Sequence, residues 1–367
     1  MPTQITPLIA GLPASVPFVG PEAQERARGR GFRARIGANE NVFGPSPRAI
    51  AAMRAAAETI WKYGDPENHD IRHALAAHIG VAPDNIVVGE GIDGLLGLTV
   101  RLMVTNGTPV VTSAGAYPTF NFHVDGFGGV LTRIPYVNDR EDWRGLLAAA
   151  RDTNAALLYI ANPDNPMGTW WPASDIAAMI ADLPENTVLC LDEAYGEFAP
   201  EAVLPPIDVT HPRVLRFRTF SKAWGMAGAR IGYVIGEAGL IRQFEKIRNH
   251  FGVNAVAQAG ALASLADPDH LARVRAQVER SRARITGLAE ALQLRALPTA
   301  TNFVTVDMGR DGAYARKVLT GLIARDVFVR MPGIAPLDRC IRIGCGLDAE
   351  MDVLDEVLPA ALVDANS

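Results

Sequence analysis

Short apolar runs alternate with longer stretches of helical spacing through most of this chain. The runs at 86–88, 109–112, 130–134, 156–160, 188–191, 214–217 and 231–235 are brief and rich in Val, Ile and Leu, and they predict strands. Between them, 95–103, 143–150 and 174–181 read as helices. Strands alternating with helices at this spacing predict a mainly parallel sheet flanked by helices, an α/β fold. Upstream, Ser46 before Pro47 marks a helix start, a capping hydroxyl followed by a first-turn proline, and that helix is expected to run to about residue 59. Residues 69–79 repeat the helical spacing. Downstream, 270–291 reads as a long charged helix, 313–324 and 349–362 as further helices, and 303–306, 327–329 and 340–343 as strands of a smaller α/β domain. Pro2, Pro7, Pro13, Pro17 and Pro21 punctuate the first 36 residues, which read as an extended arm rather than a packed element. The expected organisation is an arm over 1–36, a large domain over 37–250 and a small domain over 251–367. The small domain is also expected to receive the N-terminal segment.

Composition narrows the class. With 367 residues, 49% hydrophobic and 20% charged, the chain can bury a large core and still build a second domain. A net charge of −5 gives no nucleic-acid footprint. Cys190, Cys340 and Cys345 contain no CxxC pair, which points to reduced thiols and a cytoplasmic protein. No apolar run has membrane-spanning length, and no basic residue precedes Arg26, so neither a membrane span nor a signal peptide is expected.

Polar residues collect where the strands end, and ligands of parallel α/β sheets sit at the carboxyl ends of the strands. After 86–88 comes Gly89-Glu-Gly-Ile-Asp-Gly94, a glycine-rich turn whose free N–H groups suit an anion. After 156–160 comes Asn162-Pro-Asp-Asn-Pro-Met-Gly168, and after 188–191 comes Asp192-Glu-Ala-Tyr195. After 214–217 comes Arg218-Thr-Phe-Ser-Lys-Ala-Trp-Gly-Met-Ala-Gly-Ala-Arg230. Each could be only a turn, because Asn, Pro, Asp and Gly are what turns use. The last combines a lysine, a neighbouring serine and an arginine eight positions on. Lysine amines form Schiff bases with aldehydes, and a phosphate-bearing aldehyde needs a hydroxyl and a guanidinium to hold it.

Asn165-Pro-Met-Gly168, Asp192-Glu-Ala-Tyr195 and Ser221-Lys222 with Arg230 resemble the signature series of the fold-type-I, pyridoxal-phosphate-dependent aminotransferases of class I/II. More narrowly, the chain resembles the histidinol-phosphate aminotransferase group, through Ala38-Asn-Glu-Asn41, Tyr63 in a Tyr-Gly-Asp turn, Pro118-Thr-Phe120, Asn302-Phe-Val304, and Arg342 in Ile-Arg-Ile. The match covers nearly the whole chain in the family's order. It implies that Lys222 binds pyridoxal 5'-phosphate and moves the substrate proton, that Asp192 pairs with the pyridine nitrogen, and that Asn165 and Tyr195 hydrogen-bond the ring 3-oxygen. Phe120 is expected to stack on the ring, with Tyr117 as the second choice. Ser221, Thr219, Arg230 and the backbone at Ile92 and Asp93 are expected on the cofactor phosphate. Tyr63 is expected to reach the phosphate of a neighbouring subunit, implying a homodimer with shared active sites. Arg342, Arg330, Asn39 and Asn302 are the implied substrate contacts; no metal is implied.

The implied reaction is amino transfer to a 2-oxo acid such as 2-oxoglutarate, within amino-acid biosynthesis. Phe18, in Val16-Pro-Phe-Val-Gly-Pro21, stands where the group's arm commonly offers a tyrosine hydroxyl to the substrate phosphate. The resemblance implies histidinol phosphate as donor, while Phe18 cannot supply that hydrogen bond and suits an aromatic or apolar amino acid better. Met167 replaces the family's usual threonine in the Asn165 loop, and Trp170 with Trp171 reads as a packed loop anchor. A decarboxylase or lyase on the same scaffold is the alternative reading. A non-catalytic regulator is disfavoured by the intact Lys222.

Overall fold

The computed structural model describes residues 4–14 and 19–366. Phe18 lies outside the described residues. A seven-stranded sheet forms the centre, in the order Ile86–Gly89, Gly232–Ile235, Val214–Thr219, Val188–Asp192, Leu157–Ala161, Pro109–Ser113 and Val130–Ile134. The last five run parallel; Gly232–Ile235 runs antiparallel to both its neighbours. Val188–Asp192 and Leu157–Ala161 are buried along their whole length, as strands covered on both faces must be. Apolar residues on the two faces pack against helices such as Gly91–Met103 and Trp143–Thr153. Among the described residues, no helix is long and apolar enough to cross a membrane.

The predicted elements fall within a few residues of those observed. The helix Pro118–Gly126 was not predicted, because its Thr, Phe, Asn and Val content has no helical preference. Pro118 in its first turn starts it, and packing holds it. His123 lies so close over Gly97 that a Cβ there would come within 2.7 Å of the imidazole.

The arm departs from the expectation of an extended segment. Pro21–Arg28 is a helix, and Pro7–Ala10 forms a single turn. Proline at the first helical position loses no needed hydrogen bond, so here it opens helices rather than breaking them. Arg28 and Arg30 both reach Asp326. Ala34–Arg35 then pairs in parallel with Val327–Phe328.

A second, antiparallel sheet has the order Cys340–Gly344, Phe303–Asp307, Arg295–Ala296. The 24-residue helix Pro268–Ala291 and the helices Gly312–Ala324 and Asp348–Ala365 accompany it. An isolated antiparallel bridge joins Arg330 to Arg342 and brings both guanidinium-bearing positions to the edge facing the large sheet.

Candidate active site

A cavity of ≈ 380 Å³ opens where Leu157–Ala161, Val188–Asp192 and Val214–Thr219 end, beside the N-terminus of Gly91–Met103. Ile92, Asp93, Asn165, Asp192, Tyr195, Thr219, Ser221, Lys222 and Arg230 all line it. A second cavity of ≈ 500 Å³ shares Asp93, Tyr117, Asn165 and Lys222 with the first and adds Asn39, Asn121, Arg330 and Arg342. In the first cavity, residues far apart in sequence meet because most of them lie at or just beyond the ends of strands of the same sheet.

Lys222 sits on a tightly held loop. The Thr219 hydroxyl accepts from the Ser221 N–H at 3.0 Å and donates to the Ile231 carbonyl at 3.3 Å. Gly225, at φ 69°, packs on the backbone of Gly44, where a Cβ would come within 2.4 Å of the carbonyl. Any side chain there would push the loop away. The Lys222 amine donates to the Asn39 carbonyl at 3.1 Å and lies 5.6 Å from the Tyr195 ring centroid.

Asp192 is 5% exposed and accepts two hydrogen bonds, from the Tyr159 hydroxyl at 2.7 Å and the Ala194 N–H at 2.9 Å. Burial pushes its carboxyl up to about 6, against these donors, which favour the ionised form. Such a group is a ready counter-ion for a cation. Tyr159 was not singled out from the sequence. A hydroxyl in the middle of a wholly buried Leu-Leu-Tyr-Ile-Ala strand was the available signal, since a buried tyrosine needs a polar partner. Tyr159→Phe is expected to raise the Asp192 carboxyl by about one unit or more, because a hydrogen bond to a charged group contributes about 1.5–3 kcal/mol. NMR titration of the labelled carboxyl measures this, and an unmoved titration would remove Tyr159 from the site.

At the other end, Gly91 adopts φ 78° and lets Arg230 lie against the helix start; a Cβ there would sit 2.5 Å from a guanidinium nitrogen. Arg230 donates to the Ala227 carbonyl at 2.9 Å and reaches the Ser221 hydroxyl at 3.5 Å. Free N–H groups of a 13-residue helix, a hydroxyl and a guanidinium therefore face one spot, the chemistry of an anion site.

Two expectations are corrected. Phe120 does not line the cavity: it is fully buried, stacked on Tyr159 at 4.7 Å between centroids. Tyr117, at the cap position of the same helix, lines both cavities instead, and its hydroxyl donates to Asp93 at 2.6 Å. Burial beside Asp93 raises that phenol. Asn302 does not line either cavity. It is 1% exposed and donates to the carbonyls of Asn39 and Glu40, fixing the backbone that carries Asn39. Asn39 itself, at φ 58°, donates to the Tyr195 hydroxyl at 2.9 Å.

Arg342 donates to Asn165 Oδ1 at 2.6 Å and to the Gly37 carbonyl at 3.1 Å, over the face of Phe303. Burial pushes its guanidinium down to about 10, so it remains cationic at neutral pH. With Asn165 Oδ1 committed to Arg342, the Asn165 amide N–H is the group offered to the cavity. Arg330 lines the second cavity and donates to the Val19 carbonyl at 2.8 Å, which ties the arm to this wall. Tyr63 stands away from both cavities, 83% exposed and 4.8 Å from the Phe251 ring. Met167 is buried in the Asn165 loop, and Trp171 anchors that loop through its indole N–H on the Glu141 carbonyl at 2.7 Å. No group of three or more His, Cys, Asp and Glu side chains is placed to hold a metal among the described residues.

The aminotransferase class I and II family aligns with residues 35–358. The chain is 34% identical over 333 residues to a histidinol-phosphate aminotransferase of Anaeromyxobacter sp. (strain Fw109-5), covering 88% of this chain and 90% of that one. It is 34% identical over 362 residues to histidinol-phosphate aminotransferase 2 of Ralstonia nicotianae, covering 96% of each. Among solved structures, it is similar to histidinol-phosphate aminotransferase from Sinorhizobium meliloti in complex with pyridoxal-5'-phosphate, at 55% identity, a TM-score of 0.96 and 98% coverage of each chain.

Proposed function

The chain belongs to the class I and II aminotransferase family, a pyridoxal-phosphate-dependent enzyme of fold type I, and from that premise we propose which groups it handles and how. The donor we propose is histidinol phosphate, with an aromatic or apolar amino acid as the second choice, and the acceptor is a 2-oxo acid such as 2-oxoglutarate. The names of relatives at 34% and 55% identity support the first donor. The observation that carries it is the pair of arginines, Arg330 and Arg342, on one wall of the second cavity beside Lys222. Two guanidinium groups suit a phosphate or carboxylate better than an uncharged side chain.

The residues present fit the cofactor. A buried carboxylate held by two donors, a lysine amine and an anion cradle at a helix start lie in one cavity. When bound, pyridoxal phosphate supplies an electron sink that acidifies the donor's α-C–H. Asp192 would pair with the pyridine nitrogen and favour its protonated form. Ser221, Thr219, Arg230 and the N–H groups of Ile92 and Asp93 would hold the phosphate. Tyr117 would cover the ring face, and Tyr195, whose hydroxyl accepts from Asn39, would hydrogen-bond the 3-oxygen with Asn165. Lys222 Nζ would hold and move the proton of the donor's α-carbon, general acid–base catalysis by a positioned amine.

The exposed ring of Tyr63 is read as the group reaching a second subunit's phosphate site, so the working form is a homodimer. Residues 37–250 and 251–367 act as large and small domains that close over substrate. The compartment is read as the cytoplasm, with all three cysteines free and buried.

A single-turnover titration tests the donor. The loaded protein is offered histidinol phosphate, phenylalanine, tyrosine, histidine and glutamate in turn, and the cofactor's spectral conversion to its amine form is followed. Conversion by histidinol phosphate at the lowest concentration is expected. Conversion only by plain amino acids would discard the phosphate-bearing donor. Release of product without stoichiometric use of a 2-oxo acid would favour the decarboxylase or lyase reading.

A further inference from the structure

Away from the cavities, four side chains of alternating charge close a ring. Asp139 accepts from Arg339 at 2.7 Å on one carboxylate oxygen and from Arg295 at 2.7 Å on the other. Asp307 accepts from the same two residues, at 3.0 Å from Arg295 and 2.9 Å from Arg339. Each anion touches both cations, and the ring is net neutral. The two aspartates are nearly buried, with 13% and 12% of their side chains exposed, whereas Arg295 is 57% exposed.

The members come from both sides of the molecule. Arg295, Asp307 and Arg339 belong to the three-stranded sheet or its approach. Asp139 comes from the large-sheet side, at the tip of a two-residue turn closed by a Val137–Arg140 bridge. Asn138 and Asp139 both take left-handed conformations, φ 51° and 63°, in that turn. Such backbone is uncommon outside glycine, and Asn and Asp tolerate it best. The turn thereby aims one carboxylate across the gap between the sheets.

Both partners of the Arg342–Asn165 hydrogen bond are referenced to this ring. On one side, Arg339 immediately precedes the strand Cys340–Gly344, which carries Arg342. On the other, the Asp139 carbonyl accepts from the Thr169 hydroxyl at 2.9 Å, and the Thr169 carbonyl accepts from the N–H of Asp164, the neighbour of Asn165. Neutral bonds from Thr305 to the Pro166 carbonyl and from Ala300 to the Gly168 carbonyl hold the same loop further along. The ring adds the charged tie.

We propose that Asp139 is a positioning residue for substrate binding: through the ring it holds Arg342 and Asn165 in register, and so sets the affinity for a substrate carboxylate. The proposal rests on reading Arg342, one of the two arginines assigned above to a substrate phosphate or carboxylate, as the partner of that anionic group. Without the Asp139 charge, two guanidinium groups share one carboxylate. With no anion on the turn at 137–140 to offset it, their mutual repulsion displaces Arg339 and the start of the strand Cys340–Gly344, and Arg342 moves relative to Asn165.

The test uses the pyridoxal-phosphate-loaded protein and L-glutamate as the probe, reading half-saturation and limiting rate of the half-reaction separately. Asp139→Asn is expected to raise half-saturation roughly three- to tenfold, a modest change because the ring is partly open to solvent, with the limiting rate unchanged. Adding Arg295→Gln to that variant leaves one cation for one anion, and half-saturation should return toward the parent value. A purely structural ring would show no such return. Arg342→Lys separates the two readings. If it raises half-saturation while Asp139→Asn does not, the ring proposal is wrong and the Arg342 reading stands. If neither change alters half-saturation, both fall. Should Asp139→Asn fail to fold, Arg295→Gln alone, at an exposed side chain, is expected to raise half-saturation in the same direction, and an unchanged value overturns the proposal.

Discussion

Lys222→Ala is expected to abolish turnover, with a loss of at least about 10⁴-fold, the upper end of what a positioned acid–base group contributes and without counting its role in holding the cofactor. The fold should survive. The Lys222 amine makes one hydrogen bond, to the Asn39 carbonyl, and the loop is held by Thr219 and by the Gly225–Gly44 backbone contact instead. Circular dichroism and thermal unfolding should therefore match the parent while steady-state transamination falls to background. Residual turnover within about tenfold of the parent would mean that another group moves the proton, since a single acid–base group is rarely worth so little.

Asp192→Ala is the second large effect. The carboxylate's value lies in favouring the charged form of a cationic ring partner, and an opposite charge in contact shifts such an equilibrium by about 2–3 units, or ~3–4 kcal/mol. A loss of roughly 10²–10³-fold in the limiting rate is expected on that scale, with weaker cofactor retention. The pH dependence gives an independent reading. Burial holds the Asp192 proton up to about pH 6 in the free protein, whereas an exposed aspartate releases it near about 4. The folded state binds that proton more tightly than the unfolded state, so this residue's contribution to stability falls as pH rises from about 4 through about 6. A cation on Asp192 reverses the preference. Cofactor affinity should accordingly rise with pH through this window and level off above it. In Asp192→Ala the rise should vanish; its persistence would assign the titration elsewhere. Affinity is the better readout than global unfolding, because Glu141 and Asp164, both buried and touching, are also raised by burial and act on stability in the same direction.

Much of the site could be read from local order alone. Asn165, Asp192 and Lys222 each follow a short apolar run, and a parallel sheet brings successive strand ends together whatever the details of packing. Ile92 and Asp93 follow a glycine turn into a helix, which is legible for the same reason. Tyr117 and Phe120 show where this stops. They lie three residues apart, both aromatic, and only the seating of Pro118–Gly126 against Gly91–Met103 turns one toward the cavity and the other into the core behind Tyr159. Asn302 was assigned to the substrate through the family resemblance of Asn302-Phe-Val304 alone. In space it holds the carbonyls of residues 39 and 40, a task that depends on a contact some 260 residues away. The prolines of the arm misled because proline at a helix start and proline in an extended segment look alike in sequence.

The sequence by itself determined the alternation of strands and helices, the residue types at each strand end and, through their order, the chemistry. These depend on periodicity and on neighbours a few positions apart. The tertiary structure alone decided which aromatic faces the cavity, which hydroxyl holds Asp192, and that Asp139 meets Arg295 and Arg339 across two sheets. Those contacts join residues with no local relation, and they follow from how the helices and sheets are seated against one another.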